Sequence, residues 1–134
     1  MAGYSGTPLP RKLGLPATGR AVLIDAPAGF TKLLGKLPPA LELTPRLGRG
    51  EAYVHIFATE SATLGKRFVT AARALDKAGT LWVSWPKKAS GVATDLTEDV
   101  VRAIGLEAGL VDVKVCAVDD VWSGLKFMYR LRDR

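Results

Sequence analysis

The sequence contains few of the residues on which most metal and nucleophilic sites depend. It has one cysteine, Cys116, and one histidine, His55, in 134 residues. A lone cysteine excludes an internal disulfide and is typical of proteins from reducing compartments. A zinc site needs several His or Cys ligands, and a catalytic triad needs an accessible base, whereas His55 lies midway along an apolar strand. We therefore expect His55 to be a hydrogen-bonded core residue and Cys116 to be a buried thiol.

Long hydrophobic runs are absent as well. No apolar run approaches the roughly 20 residues that a membrane-spanning helix needs, and residues 1–6 contain no apolar signal core. Hydrophobic residues make up 48% of the chain and charged residues 24%, which is an ordinary globular composition. We expect a cytoplasmic protein without membrane contact, folded as a single domain over residues 1–134 with a lead-in segment at 1–18.

The formal net charge of +6 is unevenly distributed along the chain. Residues 1–50 carry +5, residues 51–95 carry +2 and residues 96–134 carry −1. A basic N-terminal third can attract phosphates, nucleic acid or an acidic partner, although it can also simply keep the surface soluble. No recognised nucleic-acid motif accompanies the charge, so the sequence does not favour nucleic acid.

Alternating strand and helix patterns define the expected fold. Strands are predicted at 21–24, 41–44, 53–57, 80–85, 111–118 and 125–131, and helices at 9–15 and 30–37, after 59–61 and after the Asp95/Glu98 capping-box pair. The short connection between the last two strands predicts an antiparallel hairpin. The order predicts a three-layer, Rossmann-like α/β fold with a mainly parallel sheet of five to six strands and a C-terminal antiparallel hairpin.

Three segments, 15–25, 52–57 and 108–113, resemble the Rossmann-type methyltransferases. The resemblance implies S-adenosylmethionine as cofactor, held by an acid-x-Gly-x-Gly-x-Gly loop after the first strand. Here Asp25 supplies the acid, but the three glycine positions hold Pro27, Gly29 and Thr31. A ribose-gripping acid would have to be Glu42. The resemblance is therefore to a truncated methyltransferase-like fold whose cofactor loop is not intact.

A second resemblance covers nearly the whole chain. Segments 4–9, 85–98, 113–119 and 122–127 are similar to a small bacterial family known only as a domain of unknown function. It implies a common fold and brings no activity, cofactor or partner with it.

The fold predicts where a ligand would bind. Open α/β sheets bind ligands outside the carboxyl ends of their strands, which collects residues 25–30, 59–61, 86–94 and 119–124. The strand ends near 25, 58 and 85 must then lie side by side. The predicted ligand-binding residues are Asp25, Gly29, Lys87, Lys88, Ser90, Gly91, Thr94 and Trp122.

The 87–94 loop offers two ammonium groups, two hydroxyls and a flexible glycine ahead of a helix, which suits an anionic small molecule or an acidic partner. In the alternative interpretation Asp95 and Glu98 cap that helix and pair with the lysines. Trp122 either stacks on a ligand or belongs to the hairpin, while Trp82 and Trp85 are expected to be buried on opposite faces of one strand. No calcium-type loop accompanies Asp119 and Asp120, which suit a turn, so no metal is predicted.

Two other functions stay open. One is a methyltransferase-like enzyme, whose base would come from Asp25, Glu60 or Asp119 and whose cation from Lys87 or Lys88. The other is a protein–protein interaction module that uses Phe127 and Tyr129 of the last strand to pair with another protein or with a second copy of itself.

Overall fold

The computed structural model describes residues 6–134, so Tyr4 and Ser5, where the second resemblance begins, lie outside the described residues. Its helices are α1 (Leu9–Leu13), α2 (Phe30–Leu34), α3 (Ser61–Ala74) and α4 (Glu98–Glu107). Its strands are β1 (Gly19–Ile24), β2 (Leu41–Thr44), β3 (Glu51–Phe57), β4 (Leu75–Pro86), β5 (Leu110–Ala117) and β6 (Trp122–Tyr129). Strands and helices therefore alternate as the sequence predicts.

The six strands form one sheet in the order β2-β1-β3-β4-β6-β5. The first four are mutually parallel, and β6 runs antiparallel to both of its neighbours. This arrangement confirms the predicted fold class. It also confirms that the carboxyl ends of β1, β3 and β4 lie side by side, because these strands are consecutive in the sheet.

The side-chain alternation of the strands divides the core between the two faces of the sheet. In β4, Leu81, Val83 and Trp85 pack with the α3–α4 side, whereas Trp82 packs on the α1–α2 side. The prediction that Trp82 and Trp85 are buried on opposite faces is therefore confirmed. Phe127 is fully buried against Phe68 on the α3–α4 side.

The boundary between α3 and β4 differs from the sequence prediction. Leu75, expected on the apolar side of the helix, is the first residue of β4 and pairs with Glu51 of β3. The register shifts between Glu51 and Tyr53. At Gly79 an added Cβ would lie 2.8 Å from the Glu51 carbonyl oxygen. Glycine lets the two backbones approach there, so the strand begins five residues earlier than its hydrophobic pattern suggests.

The connection from β2 to β3 contains no helix among the described residues, and an ion pair closes it instead. The Arg20 guanidinium lies 3.1 Å from the Glu51 carboxylate and donates to the Arg46 carbonyl oxygen at 2.7 Å. The Gly48 amide donates to the same carboxylate at 2.7 Å. Glu51 is buried, so these bonds offset the desolvation of its charge.

Within residues 6–134, none of the helices has the length and apolar character needed to cross a bilayer.

Candidate functional site

A cleft of about 320 Å³ opens at the carboxyl ends of β1 and β3. Two aromatic side chains, two carboxylates and two hydroxyls give it a mixed character. Its lining residues are Asp25, Phe57, Ala58, Thr59, Glu60, Thr63 and Trp122. The structure thus brings two of the predicted ligand-binding residues, Asp25 and Trp122, to one surface, together with Thr59 and Glu60 of the predicted 59–61 segment.

Trp122 forms one wall of the cleft and is held from two directions. Its ring meets Phe57 edge to face at a centroid distance of 5.4 Å and remains partly exposed. The backbone amides of Val121 and Trp122 both donate to the Asp119 carboxylate, at 2.8 and 2.7 Å. Asp119 therefore stabilises the hairpin turn, and it positions the tryptophan next to the cleft.

Asp25 directly follows β1 and has a left-handed backbone angle, φ +58°. Its carboxylate lies 3.0 Å from the Arg67 guanidinium of α3, and the two side chains are 51% and 42% exposed. A pair this accessible contributes little to stability, so a ligand could compete for either group. Nothing in the sequence pattern pointed to Arg67, because it belongs to the solvent side of a helix.

The 87–94 loop is attached to the turn that carries Trp122. The Lys87 amide donates to the Val121 carbonyl oxygen at 2.7 Å. Residues Lys88–Ser90 form a short 3₁₀ turn, and Gly91 follows in a left-handed conformation, φ +76°. The Ser90 hydroxyl donates to the Lys87 carbonyl oxygen and accepts from the Val92 amide. Ser90 and Gly91 thus shape the loop.

The C-terminal part of the loop is fastened to the start of α3. The Thr94 hydroxyl donates to the Thr59 carbonyl oxygen at 2.6 Å and accepts from the Leu96 amide at 3.0 Å. The Asp95 carboxylate accepts from the Ser61 amide and from the Ser61 hydroxyl, each at 2.8 Å. These two hydrogen bonds lower the pKa of Asp95.

Asp95 therefore caps α3, and the predicted capping box of α4 is wrong. Helix α4 begins at Glu98, and its cap is the Thr97 hydroxyl, which accepts from the Val100 amide at 3.2 Å. Glu98 and Asp99 pair with Arg102 at 2.7 and 3.0 Å. The Asp-x-x-Glu spacing was misleading because a helix distant in sequence supplies the donors for Asp95.

Because these acids bind Ser61 and Arg102, they do not pair with Lys87 and Lys88 as the alternative interpretation expected. Lys87 is half-buried and Lys88 is exposed. Asp95, Glu98 and Asp99 all bind other groups, and no carboxylate among residues 6–134 lies within ion-pair distance of either ammonium group. The two charges consequently face solvent beside the hairpin turn.

The histidine and the cysteine, His55 and Cys116, both belong to the core. His55 is fully buried, with Nε2 2.8 Å from the Ser84 hydroxyl and Nδ1 3.3 Å from the Tyr53 hydroxyl. Burial lowers the pKa of His55 to about 3, so the ring is neutral. Its predicted role as a hydrogen-bonded core residue is confirmed. Cys116 is buried too, and burial raises the pKa of its thiol.

The last strand and the acidic side chains complete the description of the candidate residues. Phe127 is fully buried, and the partly buried Tyr129 donates its hydroxyl hydrogen to the Ala72 carbonyl oxygen. No cluster of His, Cys, Asp or Glu side chains suited to a metal ion occurs in the part of the chain that the structure describes.

The loop after β1 does not fit S-adenosylmethionine in the way the methyltransferase resemblance implies. Pro27 has no amide hydrogen to donate, Asp25 is paired with Arg67, and Gly29 precedes a helix of only five residues. Glu42 is the second residue of β2 and lies in register with Arg20, near the amino end of the strand. Glu42 is therefore not at the carboxyl end of β2, where a ribose-binding acid would stand.

Solved structures with the same architecture are methyltransferases and related proteins. The fibrillarin pre-rRNA processing protein of Methanococcus jannaschii superposes with a TM-score of 0.61 at 11% identity, over 92% of this chain and 69% of that one. LepI in complex with SAM gives 0.55 at 14% identity, over 91% of this chain. Magnesium protoporphyrin IX methyltransferase from Synechocystis, with bound SAH, gives 0.53 at 13%, over 75% and 56% of the two chains.

These similarities establish a Rossmann-like methyltransferase fold. At such low identity they establish the fold alone, and the chain spans 39% of the length of LepI. No protein-family model matches the chain, and no curated protein matches it in sequence.

Proposed function

We propose that this chain binds a small molecule with an anionic end at the carboxyl edge of its sheet. The observation that carries the proposal is the cleft between Asp25 and Trp122, with Lys87 attached to the same hairpin turn through the Val121 carbonyl oxygen. The cleft supplies the surface that a ligand would cover. The lysines supply positive charge that no neighbouring carboxylate neutralises.

The lining of the cleft limits the ligand's chemistry. Trp122 and Phe57 favour a flat ring, since aromatic faces stack on such groups. Asp25 and Glu60 accept hydrogen bonds from hydroxyl or amino groups, and Lys87 and Lys88 attract a phosphate or carboxylate. A molecule that joins a ring, hydroxyls and an anion, as a nucleotide does, uses all three features.

The proposal is binding without catalysis. Of the three carboxylates that could act as a base, Asp25 pairs with Arg67 and Asp119 holds the hairpin turn. His55 is buried and neutral. Of the two acids that line the cleft, Glu60 is the one without a partner among residues 6–134, and a single carboxylate does not define a reaction.

Methyl transfer is the second candidate, and the similar structures with bound SAM or SAH favour testing it. The loop after β1 argues against it for the reasons given above. We also infer kinship with the small bacterial family that segments 85–98 and 122–127 resemble, which adds no activity.

Isothermal titration calorimetry with adenosine monophosphate, inorganic phosphate, S-adenosylmethionine and S-adenosylhomocysteine tests the proposal. We expect the nucleotide to bind more tightly than phosphate alone, because it adds ring and hydroxyl contacts. Lys87→Ala with Lys88→Ala should weaken that binding at least about tenfold, the effect of one lost hydrogen bond to a charged group.

The control is Lys32→Ala with Lys36→Ala, which removes the same charge from exposed positions in and after α2. Equal weakening in both double variants would show that only net charge matters. Micromolar binding of S-adenosylmethionine, unaffected by loss of Lys87 and Lys88, would instead favour the methyltransferase alternative.

A further inference from the structure

The charges of this protein separate along the direction of the parallel strands. The surface at the amino ends of β1, β3 and β4 also receives the end of α3, the 45–50 loop and, because β6 is antiparallel, the segment after β6. We call this surface the basic edge. Its cations are Arg20, Arg46, Arg49, Arg73, Lys77, Arg130, Arg132 and Arg134, all exposed except the half-buried Arg130.

Contacts between neighbouring elements make the basic edge continuous. Arg20 of β1 binds Glu51 of β3 and the Arg46 carbonyl oxygen. In the sheet, the backbone of Glu51 lies opposite that of Leu75, the first residue of β4. The Lys77 ammonium lies 3.9 Å from the centroid of the Tyr129 ring.

Tyr129 then connects this series to the C-terminal segment, since the Arg134 guanidinium donates to its carbonyl oxygen at 2.7 Å. At roughly 4.8 Å per strand, the three strand spacings from β1 to β6 extend over about 14 Å.

The carboxylates on the basic edge are fewer, and several are already engaged. Glu51 is buried and bound to Arg20, while Asp76 accepts from the Ala78 amide. The Asp133 carboxylate lies 4.0 Å from the Arg132 guanidinium. The other two carboxylates on the basic edge are those of Glu42 and Glu107. The opposite, carboxyl edge holds most of the other acids: Asp25, Glu60, Asp95, Glu98, Asp99, Asp119 and Asp120. Eight of the 19 Lys and Arg residues thus lie opposite the ligand cleft, on the edge with fewer acids.

We propose that the basic edge binds the phosphate backbone of a nucleic acid. Seven of its eight cations are arginines, whose planar guanidinium groups match phosphate oxygens in a bidentate geometry. Between Arg20 and Arg49 the surface forms a depression of about 500 Å³, lined partly by Gly48 and Gly50, which leave the backbone accessible. Duplex nucleic acid carries one charge per about 1.7 Å of axis, so a surface about 14 Å wide faces several phosphates.

A membrane fits this surface less well. Peripheral binding to a bilayer is strengthened by an apolar face that inserts beside the cations. On the basic edge, Leu131 is the most exposed large apolar side chain among the described residues, at 80%. The surface is therefore suited to a charged backbone more than to lipid.

Fluorescence anisotropy of the full chain with a labelled 20-nucleotide single-stranded RNA and a 20-base-pair DNA duplex tests the proposal. Titrations across 50–300 mM NaCl should give an affinity that falls linearly with the logarithm of salt. Arg46→Ala with Arg49→Ala should weaken binding about tenfold and reduce the slope by about 2, one unit for each lost phosphate contact. Both side chains are exposed, and Arg20, which binds Glu51, is left intact.

The matched control is Lys87→Ala with Lys88→Ala, which removes two charges from the opposite edge, and it is assayed on the DNA duplex, whose stacked bases do not enter the ligand cleft. This variant should retain its nucleic-acid affinity within about twofold, since charges beyond a Debye length of about 10 Å are screened. If both double variants lost the same amount of nucleic-acid affinity, net charge alone would explain the binding, and the proposal would be overturned. Absent binding at 50 mM salt, or tighter binding to vesicles with 30% anionic lipid, would overturn it too. Because the ligand test uses the lysines and this test the arginines, either proposal can fail alone.

Discussion

The two faces of the sheet are covered in different ways. On one face, α3 and α4, with 14 and 10 residues, cover an apolar cluster around Phe68, Leu81 and Phe127. On the other, α1 and α2 have five residues each. There, fully buried polar side chains lie among the aromatic residues, with Ser84 bonded to His55 and His55 to Tyr53.

On the α1–α2 face, where the helices are short, hydrogen bonds attach helix α1 to the sheet. The Trp82 indole nitrogen donates to the Leu13 carbonyl oxygen at 2.7 Å, and the Lys12 ammonium donates to the Ala117 carbonyl oxygen at 3.0 Å. Both bonds attach the end of α1 to the sheet. A five-residue helix buries little apolar area, so directional bonds fix its position. The α3–α4 face should therefore respond to changes of volume and the α1–α2 face to changes of hydrogen bonding and pH.

The largest expected effect is on the α1–α2 face. Burial lowers the pKa of His55 from 6.5 to about 3, so as the pH falls below 6.5 the unfolded chain takes up a proton that the folded chain does not. The free energy of unfolding then decreases by about 1.4 kcal/mol per pH unit. Between pH 6.5 and pH 4 the loss from this one residue is about 3 kcal/mol, measured by urea unfolding.

His55→Gln supplies the comparison, because glutamine keeps hydrogen-bonding groups near Tyr53 and Ser84 and does not titrate. Subtracting the variant's pH profile from that of the parent removes the contribution of the carboxylates. If the two profiles run parallel between pH 6.5 and pH 4, the histidine titrates equally in the folded and unfolded states, and the polar face is not pH-sensitive through His55.

The second expected effect concerns volume on the α3–α4 face. A Cβ added to Gly105 of α4 would lie 2.1 Å from the Phe127 ring, which is fully buried. Overpacking of this kind costs about 1–3 kcal/mol. Gly105→Ala should therefore lower the free energy of unfolding by about 2 kcal/mol, although alanine is the better helix former.

The matched variant is Gly65→Ala in the interior of α3, where an added Cβ meets nothing within 4 Å. It should stabilise the protein by about 0.5–1 kcal/mol. The same substitution is thus expected to have opposite signs on neighbouring helices, as seen by thermal unfolding. Stabilisation in both cases would mean that Phe127 moves freely and that this face is not closely packed.

The sheet was predictable from sequence because buried parallel strands are continuous apolar runs. Tyr53–Phe57 and the 21–24 run have that pattern, and both are central strands. The short hairpin connection likewise predicted the antiparallel pairing of β5 with β6. Both features depend on residues that are close together in the sequence, so the sequence pattern is sufficient to predict them.

The ends of elements were less predictable because distant groups determine them. Asp95 caps α3 from a position 34 residues away, and the extra length of β4 depends on pairing between Leu75 and Glu51. Neither relation leaves a periodic trace in the sequence.

In the candidate site, too, the position of strand ends was predictable and the contacts between distant side chains were not. Topology predicted that Asp25 and Trp122 would share an edge, and they line one cleft. It could not predict that Arg67 would bind Asp25, or that the acids near Lys87 would bind other groups. Those contacts follow from side-chain directions on α3 and α4, which only the packed structure defines.

The smallest expected effect isolates one hydrogen bond on the α1–α2 face. Trp82→Phe removes the indole nitrogen and leaves the buried Leu13 carbonyl oxygen without this donor. Trp85→Phe, on the opposite face, makes the same volume change, but the Trp85 nitrogen has no hydrogen-bond partner among residues 6–134. Urea unfolding should show Trp82→Phe to be the more destabilising by about 1 kcal/mol, the net contribution of a hydrogen bond. Equal losses would mean that volume alone holds both tryptophans, and that α1 is fixed to the sheet by burial of Leu13 in the same way as the long helices opposite.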